Sequence, residues 1–388
     1  MNNTRHIIVT AHCDKAAREN NEDNCLVRIN LLDDKVDHQG DGVFLSKCTE
    51  LGKYGSLLIL ADGMGGMNAG EVASAVAVSS TSNYFTTQMP EGGLPDDEAV
   101  FEFLKQAVTY SDECIKAEGA KNPDSSGLGT TIVVLWLLDG KAYIGWCGDS
   151  RIYRYNTVSK EVERLSHDHS LVQFWVDSGQ LTEEEAFRHP QSNIIMRSLS
   201  DSPDSVDFET LKTPLTLHSG DVFLICSDGL CGVLRDTEIE SLLNKAAATF
   251  PQTELDKWND LLWEGAENAR WSDNVTSILC LVRDNEEDTT EAPMAVEESD
   301  EAEDDNAAEA DKVANPATVT PSGTAPLKKA IRRKRRIVIL VIALVLLTAL
   351  AIAALRYLNN RTHPASGPKV HTSGNIQQST NDNTYVIL

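Results

Sequence analysis

Leu57-Leu58-Ile59-Leu60-Ala61-Asp62-Gly63 and Val222-Phe223-Leu224-Ile225-Cys226-Ser227-Asp228-Gly229 are two apolar runs with the same ending. Each reads as a buried strand with a carboxylate at its mouth, and each glycine leaves the neighbouring backbone open to a ligand. A single Asp-Gly after a hydrophobic run is ordinarily a tight turn. The pair gains meaning from a third run, Ala142-Tyr143-Ile144-Gly145-Trp146-Cys147, which ends in Gly148-Asp149-Ser150-Arg151. Two more acidic sites stand at strand starts: Glu22-Asp23 before Asn24-Cys25-Leu26-Val27, and Asp273-Asn274 before Val275-Thr276-Ser277-Ile278. In antiparallel sheets the start of one strand adjoins the end of its neighbour, so all five acidic sites can share one rim.

Carboxylates crowded on a rim repel one another and lose hydration unless cations neutralise them. Oxygen ligands without His or Cys favour Mg²⁺ or Mn²⁺ over zinc. Two such ions about 4 Å apart lower the pKa of a bridging water and clamp a phosphoryl oxygen. Phosphate chemistry also calls for a guanidinium, and Arg18, just before Glu22, has the planar fork for two phosphate oxygens. Taken alone, Arg18 reads first as a solvated surface residue. Ala61-Asp62-Gly63-Met64-Gly65-Gly66 has the glycines of a phosphate-cradling loop, but not the Lys and Ser/Thr of a Walker loop. The following Gly70 to Val78 reads as a packed helix in which Glu71 is structural.

The chain of 388 residues has room for two average domains, or one large domain with appendages. Residues 284–311 hold fourteen Asp or Glu and no Lys or Arg, too polar to bury a core. The domain is therefore expected over 1–284, followed by a disordered acidic and Pro/Ala/Thr-rich linker over 285–327. Residues 328–336 carry seven basic side chains, and Ile337 to Leu355 is an uncharged run. At helical rise that run spans roughly 28 Å, enough for one transmembrane helix. The basic cluster predicts a single-pass protein of the cell membrane, with the large domain cytoplasmic and residues 356–388 a short outside tail. The cluster would also touch anionic lipid headgroups. Met1 to Thr10 lacks a signal-peptide pattern. Of the net charge of −25, the acidic stretch supplies −14 and the basic cluster +7, so the rest carries −18. That balance argues against nucleic acid as a partner. Eight scattered cysteines without a Cys-x-x-Cys pair suggest reduced thiols rather than structural zinc or disulfides.

From about Arg5 to Arg283 the chain resembles the bacterial PPM, or protein phosphatase 2C, family of metal-dependent Ser/Thr protein phosphatases. The resemblance rests on motifs in order: Arg18-Glu19-Asn20-Asn21-Glu22-Asp23, Ala61-Asp62-Gly63-Met64-Gly65-Gly66, Gly129-Thr130-Thr131 and Gly148-Asp149-Ser150-Arg151. Asp168-His169-Ser170, Ser227-Asp228-Gly229-Leu230 and Asp273-Asn274-Val275-Thr276 complete the set. It implies an α+β fold, a four-layer αββα sandwich of two antiparallel sheets flanked by helices, with two Mn²⁺ or Mg²⁺ ions in a cleft at one edge and a third in bacterial members. By position, Asp62 would bridge both metals and the Gly63 carbonyl would bind the second. Asp228 and Asp273 would bind the first, while Glu22 and Asp23 would act mainly through metal-bound waters. Asp149 with Asp228 matches the third-metal site, and Arg18 would hold the substrate phosphate. Ser150, Arg151 and Asn274 are expected to support these loops from behind. Three positions depart from the family pattern: Met67 in place of a common His, Cys13 of an Asp and Lys15 of a Gly. Loss of that His would leave leaving-group protonation to a metal-bound water. Ser178 to Ser200 resembles the family's flap beside the site, polar, expected to be mobile, and helix-prone at Thr182 to Phe187. His167, His169 and His189 stay open between structural and functional roles.

The expected activity is hydrolysis of phosphoserine and phosphothreonine on proteins, by direct attack of a metal-bridging hydroxide without a phosphoenzyme. The protein partners would be phosphorylated substrates of a Ser/Thr kinase. The alternative, a catalytically impaired membrane-tethered phosphoprotein-binding module, predicts missing ligands, and none is missing. A sensory role for the outside tail is disfavoured because 33 residues cannot build a sensor domain.

Overall fold

The apolar runs become the central strands of two sheets. The computed structural model describes residues 5–284 except 32, 34, 66–68 and 122–126. Met67, the linker, the polybasic segment, the expected transmembrane helix and the tail therefore lie outside the described residues. No helix among the described residues is long and apolar enough to cross a membrane.

In chain order the strands begin with β1 (Arg5–Asp14), β2 (Asp23–Arg28), β3 (His38–Gln39), β4 (Gly42–Leu45), β5 (Thr49–Glu50) and β6 (Ser56–Met64). Helices α1 (Ala69–Gln88) and α2 (Asp97–Lys121) follow, then β7 (Gly129–Thr130), β8 (Ile132–Leu138), β9 (Lys141–Cys147), β10 (Arg151–Asn156) and β11 (Val162–Arg164). Next come α3 (Leu171–Asp177), α4 (Glu183–Phe187), β12 (Leu199–Ser200), β13 (Glu209–Thr210), β14 (Leu215–Thr216) and β15 (Asp221–Cys226). The described chain ends with α5 (Asp228–Cys231), α6 (Asp236–Thr249), α7 (Leu255–Asn268) and β16 (Val275–Asp284). Among the described residues one sheet has seven strands, ordered β11-β10-β15-β16-β1-β4 with β5 also on β1, and the other has nine, built around β2-β6-β8-β9. Every recorded pairing is antiparallel.

Three apolar layers hold these elements as an αββα sandwich. Ile7 and Val9 of β1, Leu58 and Leu60 of β6 and Ile225 of β15 meet between the sheets. On the other face of β6, Leu57, Ile59 and Ala61 pack under α1 and α2. The third layer joins Tyr153, Leu224 and Leu279 to Leu243 of α6 and Trp258 of α7. Both faces of β6 are thus covered, which is why its sequence is continuously apolar rather than alternating. Each large side chain so buried contributes about 1.5–3 kcal/mol.

Register sets the functional rim. Asp23 of β2 lies directly opposite Asp62 of β6. Arg151 at the start of β10 pairs with Cys226 at the end of β15, and Cys226 pairs with Ser277 of β16. The residues just outside these ends, Asp149, Asp228 and Asp273, are carried to the same edge.

Candidate active site

Asp62 lies inside its strand, not at the mouth. β6 pairs with β8 up to Leu60 and then switches to β7 from Gly63 onward. Thr131 fills the break: its N–H donates to the Asp62 carbonyl at 2.8 Å, and its hydroxyl accepts from the Asp62 N–H at 3.0 Å. The Thr130 hydroxyl adds a bond to the same carbonyl at 2.9 Å, and the Ser150 hydroxyl lies 2.8 Å from that of Thr131. The break turns the Asp62 backbone toward side-chain partners, as bulges beside active sites do.

Both glycines also stand where two backbone segments cross closely, a packing role beyond ligand access. A Cβ on Gly63 would lie 2.1 Å from the Gly70 carbonyl oxygen of α1, and one on Gly229 would lie 1.8 Å from that of Asn274. Asp228 itself opens α5, with Ser227 as N-cap.

The carboxylates of the rim meet electrostatically. Asp23 is buried; Ser227 and Thr276 each donate a hydroxyl hydrogen bond to its Oδ2 at 2.7 Å. Its Oδ1 and the Oδ1 of buried Asp149 have no hydrogen-bond partner. Burial first, and then neighbouring carboxylates, push Asp23 up to about 7 against the two hydroxyl bonds that lower it. Burial and Asp273 raise Asp228 to about 6, relieved in part by a hydrogen bond with Asp62. Asp62 is raised well above the ordinary carboxylate range by burial and by Asp23, Asp228, Asp149 and Asp273. Asp149 is raised by burial, then Asp228 and Asp168, and Glu22 is raised mainly by burial.

Among the described residues no three His, Cys, Asp or Glu side chains close on one point as a finished metal shell. The carboxylates are near enough to raise one another's pKa. Two orphaned buried carboxylate oxygens in an all-oxygen donor set fit a hard divalent cation, which would satisfy the oxygens and offset the repulsion.

Arg18 reaches the rim but is engaged there. Its Nη2 donates to Asp273 Oδ2 at 2.7 Å and its Nε to the Ser272 carbonyl at 3.0 Å. Asn274 is the clamp beneath: its Oδ1 accepts from the Glu22 N–H at 2.9 Å, while its Nδ2 donates to the Lys15 and Asn20 carbonyls. Arg151 is fully occupied from behind, with Nε and Nη2 on Asp168 and Nη1 on Tyr153 and Asp236. His169 is structural: Nδ1 accepts from the Gly148 N–H at 3.2 Å, and Nε2 lies 3.1 Å from Glu209. It steadies the turn at Gly148, whose φ of +112° precedes Asp149. Cys13 is buried, takes a hydrogen bond from Asn21 at 3.2 Å and sits 3.1 Å from the Thr276 hydroxyl. Lys15 contributes its carbonyl to the Arg18 N–H at 2.9 Å.

Sequence reasoning gave no role to Ser227, Thr276, Thr131 or Asp168, although all stand in the motifs quoted. For the three hydroxyl residues the available signal was a hydroxyl in or beside an apolar run; Asp168 offered none. Asp149, Asp228, Asp273 and Arg18 line a cleft of 790 Å³, whose other walls include the start of α3, α4 and the start of α6. The expected flap helix is present as α4, closed by a Thr182–Glu185 capping box.

Residues 46–270 match the family model described as protein phosphatase 2C. The chain belongs to the protein phosphatase 2C family. Protein phosphatase PhpP of Streptococcus pneumoniae is 35% identical over 235 residues, covering 60% of this chain and 87% of that protein. The fold is similar to the crystal structure of the serine/threonine phosphatase PstP/Ppp of Mycobacterium tuberculosis, with a TM-score of 0.55 and 27% identity over 72% of this chain and 99% of that one. It is also similar to the PstP catalytic domain in complex with two manganese ions, with a TM-score of 0.54 and 28% identity over 72% and 100% of the two chains. Family members use Mn²⁺ or Mg²⁺, which agrees with the orphaned carboxylate oxygens of this rim.

Proposed function

We propose that the carboxylate rim is where this metal-dependent protein serine/threonine phosphatase hydrolyses phosphoserine and phosphothreonine esters. The observation that carries the reading is the meeting of Asp23, Asp62, Asp149, Asp228 and Asp273 at one edge, with two buried oxygens lacking partners. In this reading Asp62 and the Gly63 carbonyl would help to hold a pair of divalent ions. Asp228 and Asp273 would hold the pair as well, Glu22 and Asp23 would act mainly through bound waters, and Asp149 with Asp228 would take a third ion. The ions, when bound, supply Lewis acidity and lower the pKa of water so that it can attack phosphorus near neutral pH.

The protein's own groups do the rest. Arg18 is half-exposed at the rim, and its fork can pass from Asp273 to two phosphate oxygens, where it offsets the charge that develops in the transition state. Ser227 and Thr276 keep Asp23 oriented, and Asn274 ties the Arg18 loop and Glu22 to the start of β16. The test is phosphate release from a phosphothreonine peptide. Release that requires Mn²⁺ and falls at least a hundredfold in Asp62→Asn, on the scale of losing one major charge-stabilising group, supports the reading. Equal turnover by wild type and variant sinks it.

We further propose that the enzyme is tethered to the cytoplasmic face of the cell membrane, where its substrates include targets of a Ser/Thr kinase. The support is the sequence: seven basic residues before the uncharged run from Ile337 to Leu355, after a linker that reaches tens of Å. Tethering raises the local concentration of enzyme near membrane phosphoproteins. Removing residues after Arg283 should leave peptide hydrolysis intact and slow dephosphorylation of a vesicle-anchored phosphoprotein. Equal effects on both would refute the tether.

A further inference from the structure

Helix α4 of the flap has little apolar burial to hold it. Ala186 is its one buried residue, and Glu183 and Glu184 are exposed. A charged clasp holds it instead. Arg235 Nε and Nη2 donate to the two oxygens of Glu184, each at 3.1 Å, and the guanidinium carbon lies 4.7 Å from the Phe187 ring centre. The two bonds form a parallel fork and the stack orients its plane, so this pair is better defined than an ordinary surface ion pair. Arg235 is also the N-cap of α6, and the short stretch from Asp228 through α5 leads directly to it. Arg164 adds weaker attraction from beneath, 3.7 Å from Glu183 and 3.9 Å from Asp236.

The clasp joins the flap to the segment that carries a proposed metal ligand. Glu183, Glu184, Phe187 and Arg235 line the same cleft as Asp149, Asp228 and Arg18. A cleft of 790 Å³ far exceeds one phosphate group, so its remaining wall is available to the peptide around a phosphoresidue.

We propose that Arg235 is a positioning and specificity residue that fastens α4 to the start of α6 and so builds the cleft wall read by peptide substrates. The inference rests on the phosphatase reading above. A small aryl phosphate, confined to the metal ions and Arg18, does not need this wall. Neither Arg235 nor Glu184 belongs to the proposed metal or phosphate machinery.

The test compares full-length wild type, Arg235→Ala, Arg235→Lys and Glu184→Gln in Mn²⁺, with a phosphothreonine peptide and p-nitrophenyl phosphate as substrates. Amide hydrogen exchange over residues 178–196 is read alongside. The expected result is a KM for the peptide raised about fivefold in Arg235→Ala and Glu184→Gln, with kcat and the p-nitrophenyl phosphate constants little changed. Exchange over α4 should quicken in both variants. Arg235→Lys should recover only part of the loss, because an ammonium lacks the fork. Unchanged exchange, or equal effects on the two substrates, would overturn the clasp; if Arg235→Ala fails to fold, Glu184→Gln on the exposed flap decides alone. Failure of wild type to hydrolyse either substrate would instead defeat the phosphatase reading itself.

Discussion

Asp23 shows how a carboxylate is kept ready in an apolar surrounding. Two hydroxyls hold one oxygen at 2.7 Å each while the other oxygen has no partner, so the side chain is oriented but not neutralised. Thr276→Val keeps the shape and removes one donor. It should lower the unfolding free energy by about 1–3 kcal/mol, the usual cost of leaving a buried polar group short of a bond. It should also move the Mn²⁺ dependence of turnover to higher concentration, because the loosened carboxylate no longer presents one orientation. Denaturant unfolding and a metal titration check both, and no change in either would show that Ser227 alone suffices. The sequence exposed Asp23 as acidic and near a strand start. It did not expose these partners, because Ser227 and Thr276 come from β15's end and β16, far along the chain, and meet Asp23 only once two sheets are stacked.

At the scale of elements, the deciding events are a break in one strand and two close backbone crossings. β6 leaves β8 and takes β7 at Asp62, and Thr131 closes the gap. The start of α1 then crosses β6 at Gly70 over Gly63, while α5 crosses the approach to β16 at Gly229 over Asn274. Gly229→Ala would force a methyl to 1.8 Å from a backbone oxygen. Neither α5 nor β16 can yield without moving Asp228 or Asp273. The expected loss exceeds ordinary overpacking, roughly 3 kcal/mol or more, with weakened Mn²⁺ binding in whatever fraction folds. Thermal unfolding with and without Mn²⁺ measures it; a variant as stable as wild type would mean that the crossing is wider than described. The apolar runs made the strands legible, and the helix-prone stretch from Thr182 to Phe187 made α4 legible, while its capping box came from the structure. What local pattern could not give was the function of the glycines, since a missing Cβ has no meaning until something lies where it would be.

For the whole molecule the rim is a store of like charge. Asp23 is raised from 3.8 to about 7 and Asp228 to about 6, in each case mainly by burial, and Asp62 and Asp149 are raised as well. The folded protein therefore takes up protons that the unfolded chain does not, as pH falls from about 8 toward 5. Metal-free protein should gain stability over that fall. Divalent cations bind the deprotonated rim, so the rise in Tm caused by Mn²⁺ should be largest near pH 8 and shrink as pH drops through 7 and 6. Calorimetric scans with and without Mn²⁺ at several pH values test this, and a cation effect independent of pH would contradict it. The sequence by itself determined the strands, the acidic positions at their ends and the oxygen-only donor chemistry, because apolar runs and residue types are local properties. Tertiary structure alone decided that Asp62 lies within its strand opposite Asp23, that Gly63 and Gly229 serve backbone crossings, and that Arg235 clasps the flap. Those facts depend on register and on the stacking of layers, which bring together residues that no spacing along the chain connects.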